Sequence, residues 1–459
     1  MFSKAFAALS IVAGAFSVCA LGQSPQQTVF QANNFESYDA GLFSPFEDLK
    51  LLSTSTFTTL GHPAFPNYNV RIKKSDFCDG GVNAYTGYID IEARHLFFYF
   101  FESRSDPAKD DVIFWTNGGP GCSSSLGLFM ELGPCRVTQP NATTFNPSAW
   151  NDNANIFFVD QPIGVGFSYA DYGEYVSSTE EAATDIASFV AIFFEHFSQF
   201  KGRAFHMAGE SYGGKYVPAF ASHVYDQNAK LVQAGMTPIN LTSVMIGNGC
   251  TEVAGMVPSY YDMQCANHTV APIQSIECSE LYLVVKRYNP YDISKLCDGP
   301  IEETLCYPLT KQISAFLDRP DIREQIGVDP SLTSNFSSCS GEVSAKFDAS
   351  LDSAFPSHLY IAALLERGVK VLIYVGANDW ICNWVGNEKM TLGLEWSGQT
   401  AFQAQPLREW TVKGSPAGVT RNAGSLTFAT IYGAGHMVPF DQPEVSLELV
   451  QRWLAGDQL

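Results

Sequence analysis

The chain has 459 residues, of which 46% are hydrophobic and 16% are charged, so it is long and apolar enough to bury a large core. Its formal net charge of -20 at pH 7 disfavours nucleic acid as a partner, because phosphate binding needs a basic face. The acidic composition is better suited to an acidic compartment, where repulsion between carboxylates weakens.

The N-terminus has the pattern of a secretory signal peptide. Lys4 precedes an apolar run from Ala5 to Val18, and the small residues Ala20 and Gly22 follow. The run is shorter than the roughly 20 residues that cross a bilayer. We therefore predict a cleaved signal over residues 1–22 and no membrane span.

Cysteines and glycosylation sequons point to the same route. The chain has 11 cysteines, and all but Cys19 lie beyond the predicted signal. An oxidising secretory route, ending in a vacuole or outside the cell, accounts for this number. The predicted N-glycosylation sites are Asn141, Asn240, Asn267 and Asn335.

The predicted elements begin after an N-terminal arm. Residues 23–69 predict an irregular arm or propeptide, because Pro45, Pro63 and Pro66 interrupt any periodicity. Short apolar and aromatic runs bounded by polar residues then predict buried strands at Tyr85–Ile91, His95–Phe101, Val112–Trp115 and Ile156–Val159.

Helices and strands alternate from there on. Ser178-Thr-Glu-Glu181 is a capping box that opens a long helix, and helical sequence resumes at Lys215 after another strand. The later strands and the last helix are predicted at Ala204–Ala208, Ser243–Ile246, Val369–Val375, Leu426–Tyr432 and Pro443–Leu454. This alternation predicts an α/β fold with a mostly parallel central sheet. The cysteine-rich, proline-punctuated stretch from about 250 to 355 predicts an inserted cap within a domain spanning residues 70–459.

A serine between glycines is the first chemical motif. Gly209-Glu-Ser-Tyr-Gly213 matches G-x-S-x-G, in which a sharp turn between strand and helix exposes the serine hydroxyl. The same stretch nearly fits a phosphate-binding loop, but that loop needs a small hydroxyl at the position of Tyr216. The sequence therefore favours Ser211 as a nucleophile.

A serine nucleophile needs a histidine base and an acid that orients it. His436 lies in a glycine-flanked loop after the run Leu426–Tyr432, and Asp379 directly follows the run Val369–Val375. The order Ser211, Asp379, His436 is the order found in α/β-hydrolases.

The segment Trp115-Thr-Asn-Gly-Gly-Pro-Gly121 follows a strand and predicts an oxyanion hole. Glycine lets the backbone approach a substrate closely, so the Gly119 N–H is expected to join the Tyr212 N–H there. An ordinary Gly-Pro turn is the alternative interpretation of this segment.

Four segments together resemble the serine carboxypeptidase family, over roughly Ala84 to the C-terminus. They are Trp115-Thr-Asn-Gly-Gly-Pro-Gly-Cys-Ser-Ser124, Val159-Asp-Gln-Pro162, Gly209-Glu-Ser-Tyr-Gly-Gly214 and Gly435-His-Met-Val-Pro439. The resemblance implies the α/β-hydrolase fold and a triad of Ser211, Asp379 and His436. It departs from the family pattern at Gly214-Lys215, where a small residue followed by an uncharged residue or histidine is expected.

The family resemblance also implies a substrate. It assigns Asn117, Gly118, Glu131 and Glu210 to the free C-terminal carboxylate of a peptide or protein, which makes the chain an exopeptidase. Two close carboxyls raise each other's pKa, and a protonated one can donate a hydrogen bond to the substrate anion. Activity is therefore expected at acidic pH, through an acyl-enzyme on Ser211 and without cofactor or metal.

The resemblance implies roles for the cysteines as well. It implies that Cys382 is buried and unpaired near the specificity pocket and sensitive to mercurials, and that Met437 lines the pocket for the leaving residue. The disulfides suggested by resemblance and spacing are Cys122–Cys339, Cys265–Cys278 and Cys297–Cys306. Cys78, Cys135 and Cys250 remain, and three is odd, so either a second thiol is free or one assignment is wrong.

Two other functions compete with this interpretation. A family member that transfers an acyl group from a glucose ester to an alcohol would usually carry serine in place of Gly213, and its carboxylate-binding residues would be altered. Asn117, Glu131 and Glu210 favour the hydrolase. A catalytically silent binding or chaperone-like protein is disfavoured by the intact triad.

Overall fold

A mixed sheet of 13 strands organises the protein, shown here by a computed structural model that describes residues 43–78, 81–263 and 288–459. Two further hairpins, β6–β7 and β12–β13, lie outside this sheet. The strands are, in chain order, β1 (Thr58–Gly61), β2 (Tyr68–Lys74), β3 (Ala84–Ile91), β4 (Arg94–Phe101), β5 (Asp111–Thr116), β6 (Cys135–Gln139), β7 (Ala142–Phe145), β8 (Ala154–Val159), β9 (Tyr169–Ala170), β10 (Ala204–Glu210), β11 (Asn240–Gly247), β12 (Tyr288–Asn289), β13 (Asp292–Leu296), β14 (Lys370–Gly376), β15 (Arg408–Val412), β16 (Ser415–Ala423) and β17 (Leu426–Ile431).

The centre of the sheet is parallel, as the sequence predicts. The strand order is β1-β2-β3-β4-β8-β5-β10-β11-β14-β17-β16-β15, with β9 paired to β4. Every pair from β8 to β17 is parallel, and antiparallel strands flank them on both sides. The register keeps Trp115, Ala208 and Met245 level on neighbouring strands, so the carboxyl ends of these strands finish at one edge.

Helices cover the sheet, and several short ones lie in the described part of the cap. The helices are α1 (Thr179–His196), α2 (Gly213–Gln233), α3 (Val253–Tyr261), α4 (Ile301–Thr304), α5 (Leu309–Leu317), α6 (Pro320–Ile326), α7 (Gly341–Ala349), α8 (His358–Glu366), α9 (Trp384–Gly393), α10 (Gln399–Gln403), α11 (Val438–Asp441) and α12 (Pro443–Ala455). None of the helices in the described ranges is long and apolar enough to cross a bilayer.

Aromatic packing fixes α1 against the sheet. The Phe157 ring on β8 lies 4.3 Å from Phe100 on β4 and 4.7 Å from Phe193 on α1, centroid to centroid. Ser178 caps α1 by accepting a hydrogen bond from the Glu181 N–H. The reciprocal bond of the predicted capping box is shifted by one residue, since Glu181 accepts from the Ser177 N–H.

The sheet starts earlier than the sequence predicts. β1 falls inside the segment expected to be an irregular arm, and Pro63 and Pro66 lie in the turn between β1 and β2. Prolines mark turns as well as irregular chain, which is why this short strand was missed.

Some predictions lie outside the described residues. They are the signal over residues 1–22, the glycosylation site Asn267, and the pair Cys265 and Cys278.

Candidate active site

The predicted site residues meet at the carboxyl edge of the parallel strands. Asn117 directly follows β5, and Ser211 directly follows β10. Asn248 follows β11, Asp379 lies three residues after β14, and His436 lies five residues after β17. Ligands of open α/β sheets bind at this edge, so the fold brings together residues from five separate parts of the chain.

Ser211 occupies a sharp turn between β10 and α2. Its φ of 63° lies in the left-handed region, a strained backbone for a residue other than glycine. A Cβ atom on Gly209 would lie 2.8 Å from the Thr116 oxygen, so the strand fits only with glycine there. The Ser211 N–H donates to the Gly247 oxygen at 3.1 Å, which ties the turn to the end of β11.

Asp379 and His436 form a buried acid–base pair. His436 Nδ1 lies 2.8 Å from Asp379 Oδ2, and both side chains are almost fully buried. A carboxylate only accepts hydrogen bonds, so Nδ1 carries the proton, and Nε2 of the neutral imidazole is left as an acceptor. The Asn248 amide donates to the same Oδ2 at 2.8 Å, and the Ile381 N–H donates to Oδ1 at 3.2 Å.

Asn248 was not among the residues singled out from the sequence. Its Nδ2 also donates to the Gly435 oxygen at 3.3 Å, and its Oδ1 accepts from the Gly376 N–H at 3.3 Å. One amide thus joins the Asp379 loop to the His436 loop. The available signal was its place two residues after the predicted strand Ser243–Ile246, at the edge where the triad was expected.

The hairpin β12–β13 of the cap also contacts the two loops that carry Asp379 and His436. The Trp380 and Ile381 N–H groups donate to the Pro290 oxygen, and the His436 N–H donates to the Tyr291 oxygen at 2.6 Å. A Cβ atom on Gly435 would lie 2.3 Å from that Tyr291 oxygen, so the close approach requires glycine. Backbone contacts of this kind leave no signal in the sequence.

Asn117 is oriented toward Glu131. Its Oδ1 accepts from the Trp115 indole at 2.8 Å and from the Gly127 N–H at 2.9 Å. Both partners are donors, so the oxygen must face them and the NH₂ group must face the other way. That NH₂ group donates to Glu131 Oε1 at 3.4 Å.

The predicted oxyanion segment lies against the serine turn. A Cβ atom on Gly118 would lie 2.3 Å from the Tyr212 nitrogen, so the two segments touch at the backbone. Gly119 has a φ of 117°, a conformation that strongly favours glycine. The Tyr212 hydroxyl donates to Asp352 Oδ2 at 2.7 Å, which connects the serine turn to the cap.

Glu131 and Glu210 form a second buried acidic pair. Burial raises the pKa of Glu131, and burial and the Glu131 charge raise the pKa of Glu210 well above its ordinary value. Two adjacent carboxylates in a buried site cannot both ionise cheaply, so the pair favours holding a proton.

Lys215, the departure from the family pattern, is buried four residues after Ser211. It is 1% exposed, and burial lowers its pKa to about 8. Its ammonium group donates to the Phe355 oxygen at 2.8 Å and to the Thr251 oxygen at 3.4 Å. Lys215 therefore links the first turn of α2 to backbone carbonyls of the cap.

The cysteine pairing corrects one expectation. Cys122–Cys339 and Cys297–Cys306 are both present, as the resemblance suggested. Cys382 is bonded to Cys250, so the expected free thiol at Cys382 is wrong. Among the described residues, Cys78 and Cys135 form the remaining pair. Three cysteines were left over in the sequence analysis because one of them, Cys250, pairs with Cys382, which was expected to be free.

Asp379, Cys382 and His436 place potential metal-ligand atoms within 4.8 Å of one another. The Cys382 sulfur is committed to its disulfide and the other two residues bond each other, so this group is not a metal site in the oxidised protein. Met437 is 3% exposed and belongs to a large apolar cluster; its place in a leaving-residue pocket stays a prediction. The predicted glycosylation sites Asn141, Asn240 and Asn335 are exposed.

Known proteins provide an independent comparison. A family model described as serine carboxypeptidase matches residues 78–281 and 263–456. The chain belongs to the serine carboxypeptidase family. It is therefore a serine-type hydrolase that acts on peptide C-termini.

Relatives in this family are similar over most of their length. The chain is 37% identical to Carboxypeptidase Y of Candida albicans over 433 residues, covering 85% of this chain and 77% of the relative. It is 37% identical to the vacuolar serine-type carboxypeptidase ATG42 of Saccharomyces cerevisiae, and the match covers 88% of this chain and 85% of the relative. The segment Asp379-Trp-Ile-Cys-Asn-Trp384 itself resembles carboxypeptidase Y within this family, and the identity to that relative supports the resemblance.

A solved structure confirms the fold. Kex1Δp, a prohormone-processing carboxypeptidase of Saccharomyces cerevisiae, superposes with a TM-score of 0.72 at 23% identity, covering 82% of this chain and 92% of that one. The predicted α/β-hydrolase fold of the family is therefore present.

Proposed function

We propose that the enzyme releases C-terminal residues at acidic pH through an acyl-enzyme on Ser211. The observation that carries the proposal is the buried Glu131–Glu210 pair beside the serine turn, because it supplies a reason for choosing a free carboxylate. Burial raises the pKa of both carboxyls, so the pair holds a proton at acidic pH and can donate it in a hydrogen bond.

The reaction takes two steps. His436 Nε2 accepts the Ser211 proton as the hydroxyl oxygen attacks the last peptide carbonyl, and backbone N–H groups of Gly119 and Tyr212 stabilise the oxyanion. His436 then gives its proton to the leaving amine, and the C–N bond breaks. Water, deprotonated by His436, attacks the acyl-enzyme, which releases the shortened peptide and restores Ser211.

Carboxylate recognition uses the residues around Asn117. The Asn117 NH₂ group and the shared proton of the glutamate pair act as donors, and the Gly118 backbone allows close approach. As pH rises, the pair loses its proton, repels the substrate carboxylate and raises KM before kcat falls. Asn117 directly follows β5 and Glu210 ends β10 beside Ser211, which supports this assignment.

The relatives and the N-terminal sequence support a proposal for the cellular location of the enzyme. The relative ATG42 is named vacuolar, and an acidic lumen suits a site that requires a protonated glutamate pair. We therefore propose entry through the predicted signal, glycosylation at the predicted sequons and residence in the vacuole or secretion.

A substrate panel tests the exopeptidase assignment. N-blocked dipeptides are assayed from pH 4 to 8, each with a free C-terminus and with a C-terminal amide. We expect the amides to be cleaved much more slowly, with KM for the free acids rising as pH increases. Equal cleavage of acids and amides would refute carboxylate recognition.

Labelling tests the nucleophile. A fluorophosphonate probe should attach to the wild-type enzyme and not to the Ser211→Ala variant, with Ser222→Ala as a matched control that still labels. Failure of the wild-type enzyme to label would favour the catalytically silent alternative.

A further inference from the structure

The disulfide Cys250–Cys382 joins two segments of the catalytic centre. The Cys250 N–H donates to the Ser211 oxygen at 2.9 Å, so Cys250 belongs to the backbone that surrounds the nucleophile. Cys382 lies three residues after Asp379, and its sulfur is within 4.8 Å of a carboxylate oxygen of Asp379 and a ring nitrogen of His436. The bond therefore spans the space between the nucleophile and its acid–base partners.

The position of this bond distinguishes it from a disulfide that only closes a local loop. It joins cysteines separated by 132 residues, whereas Cys297–Cys306 closes a separation of only 9. Between the same two segments, the Asn248 amide provides the hydrogen bond to Asp379 described above. Reactive geometry has to be held closely, because a displacement of about 1 Å can cost roughly 100-fold in rate.

We propose that the Cys250–Cys382 disulfide is a positioning element of the catalytic centre, which holds the nucleophile segment at its working distance from Asp379 and His436 and makes turnover sensitive to thiol reductants. This inference rests on the proposed catalytic roles of Ser211, Asp379 and His436.

The redox step is a thiol–disulfide exchange with a dithiol. A thiolate of the reductant attacks the Cys250 sulfur, the S–S bond breaks, and Cys382 leaves as a thiolate that takes up a proton. The second thiol of the reductant then releases Cys250 and forms the oxidised, cyclic reductant. Attack at Cys250 is favoured because Cys250 is partly exposed, whereas Cys382 is 1% exposed.

The first test compares two double variants in the oxidised full-length protein. Cys250→Ser with Cys382→Ser removes the proposed positioning bond, and Cys297→Ser with Cys306→Ser removes a local bond as the control. We expect kcat of the first variant to fall about 10- to 100-fold with a change in KM of less than about threefold. The control should keep kcat within about twofold of the wild-type value.

Folding and positioning are separated by a second measurement. Far-UV circular dichroism and the melting temperature are recorded for both variants. A folded Cys250→Ser/Cys382→Ser variant with wild-type kcat would overturn the proposal. If that variant fails to fold, wild-type enzyme is treated with dithiothreitol, and differential alkylation identifies the reduced pair. Full kcat after selective reduction of Cys250–Cys382 would likewise overturn it.

A mercurial provides a third test that does not depend on loss of activity in the variant itself. The single variant Cys250→Ser leaves a thiol at Cys382, beside the catalytic histidine, so p-hydroxymercuribenzoate should inhibit its residual activity. The wild-type enzyme and the Cys250→Ser/Cys382→Ser variant should resist. Equal inhibition of the wild-type enzyme would mean that the bond is absent and would overturn the proposal.

These outcomes are distinct from failure of the proposed function. If oxidised wild-type enzyme neither labels with a fluorophosphonate nor cleaves a free-acid dipeptide, the triad assignment fails. If it labels and cleaves normally but is indifferent to loss of the bond, only the positioning role fails.

Discussion

Two buried acidic groups lie at the same edge of the sheet and are built in opposite ways. Asp379 accepts hydrogen bonds from His436, from the Asn248 amide and from the Ile381 N–H. Glu131 accepts from Asn117, and its other neighbour is the carboxyl of Glu210. The oxygens of the first carboxyl face hydrogen-bond donors, whereas the second carboxyl faces another carboxyl and burial raises its pKa.

The difference shows what decides the role of a buried acid. Burial alone is common to both sites, so desolvation does not distinguish them. The number of donors around the oxygens does, because donors stabilise the charged form and a second carboxyl opposes it. In the proposed mechanism, carboxyl groups at one edge of the sheet therefore do two different things: one orients a base and the other pair recognises an anion.

The largest effect is expected from removing the charge at Asp379. Asp379→Asn should lower kcat by about 10⁴-fold, because the amide no longer selects the tautomer that leaves Nε2 as an acceptor. Steady-state kinetics on an N-blocked dipeptide measure this. Asp226→Asn, at an exposed carboxylate paired with Arg367, is the control and should keep full activity. A loss of less than about tenfold at Asp379 would place the orienting acid elsewhere.

Next in size is the effect of removing the shared proton. Glu131→Gln and Glu210→Gln, made singly, each remove a charge-assisted hydrogen bond to substrate, worth roughly 1.5 to 3 kcal/mol, so KM should rise by about 10- to 100-fold. The dependence of KM on pH should flatten, since glutamine does not titrate. A KM profile from pH 4 to 8 that keeps its wild-type shape in both variants would refute the role of the pair.

A smaller loss is expected at Asn248. Asn248→Gly removes the amide that binds Asp379 and tolerates the backbone φ of 45°, which alanine would not. One lost buried hydrogen bond, worth about 1 to 2 kcal/mol, should lower kcat about 5- to 30-fold. Asn228→Gly, at an asparagine on α2 away from the site, is the control for the general effect of replacing an asparagine with glycine. Unchanged kcat would show that His436 and Ile381 hold Asp379 without help.

The smallest effect is on stability against pH. The pKa of Glu210 is raised in the folded state, so the stability from its protonated form is present below the ordinary pKa and is lost as pH rises through the raised one. The Glu131→Gln/Glu210→Gln variant does not lose this stability, because glutamine does not titrate. The melting temperature of the variant minus that of the wild-type enzyme should therefore rise by a few degrees between pH 5 and pH 8. A constant difference would mean that the pair does not titrate differently on unfolding.

Local patterns in the sequence were sufficient for the sheet and for the triad candidates. Apolar runs bounded by turn residues predict β5, β10, β14 and β17, and a residue just after such a run must lie at the carboxyl edge. Ser211, Asp379 and His436 each have that position. Cys382 was misassigned because the family resemblance implied a free thiol there, and no local pattern shows that Cys250, 132 residues away, lies beside it.

The sequence by itself determined the α/β alternation, the serine turn and the residues able to carry the chemistry, because each depends on neighbours a few positions away. Only the tertiary structure decided that β1 joins the sheet, that Asn248 and the hairpin β12–β13 hold the catalytic loops, and that Cys250 pairs with Cys382. Those features depend on backbone groups and side chains far apart in the chain, which local patterns do not bring together.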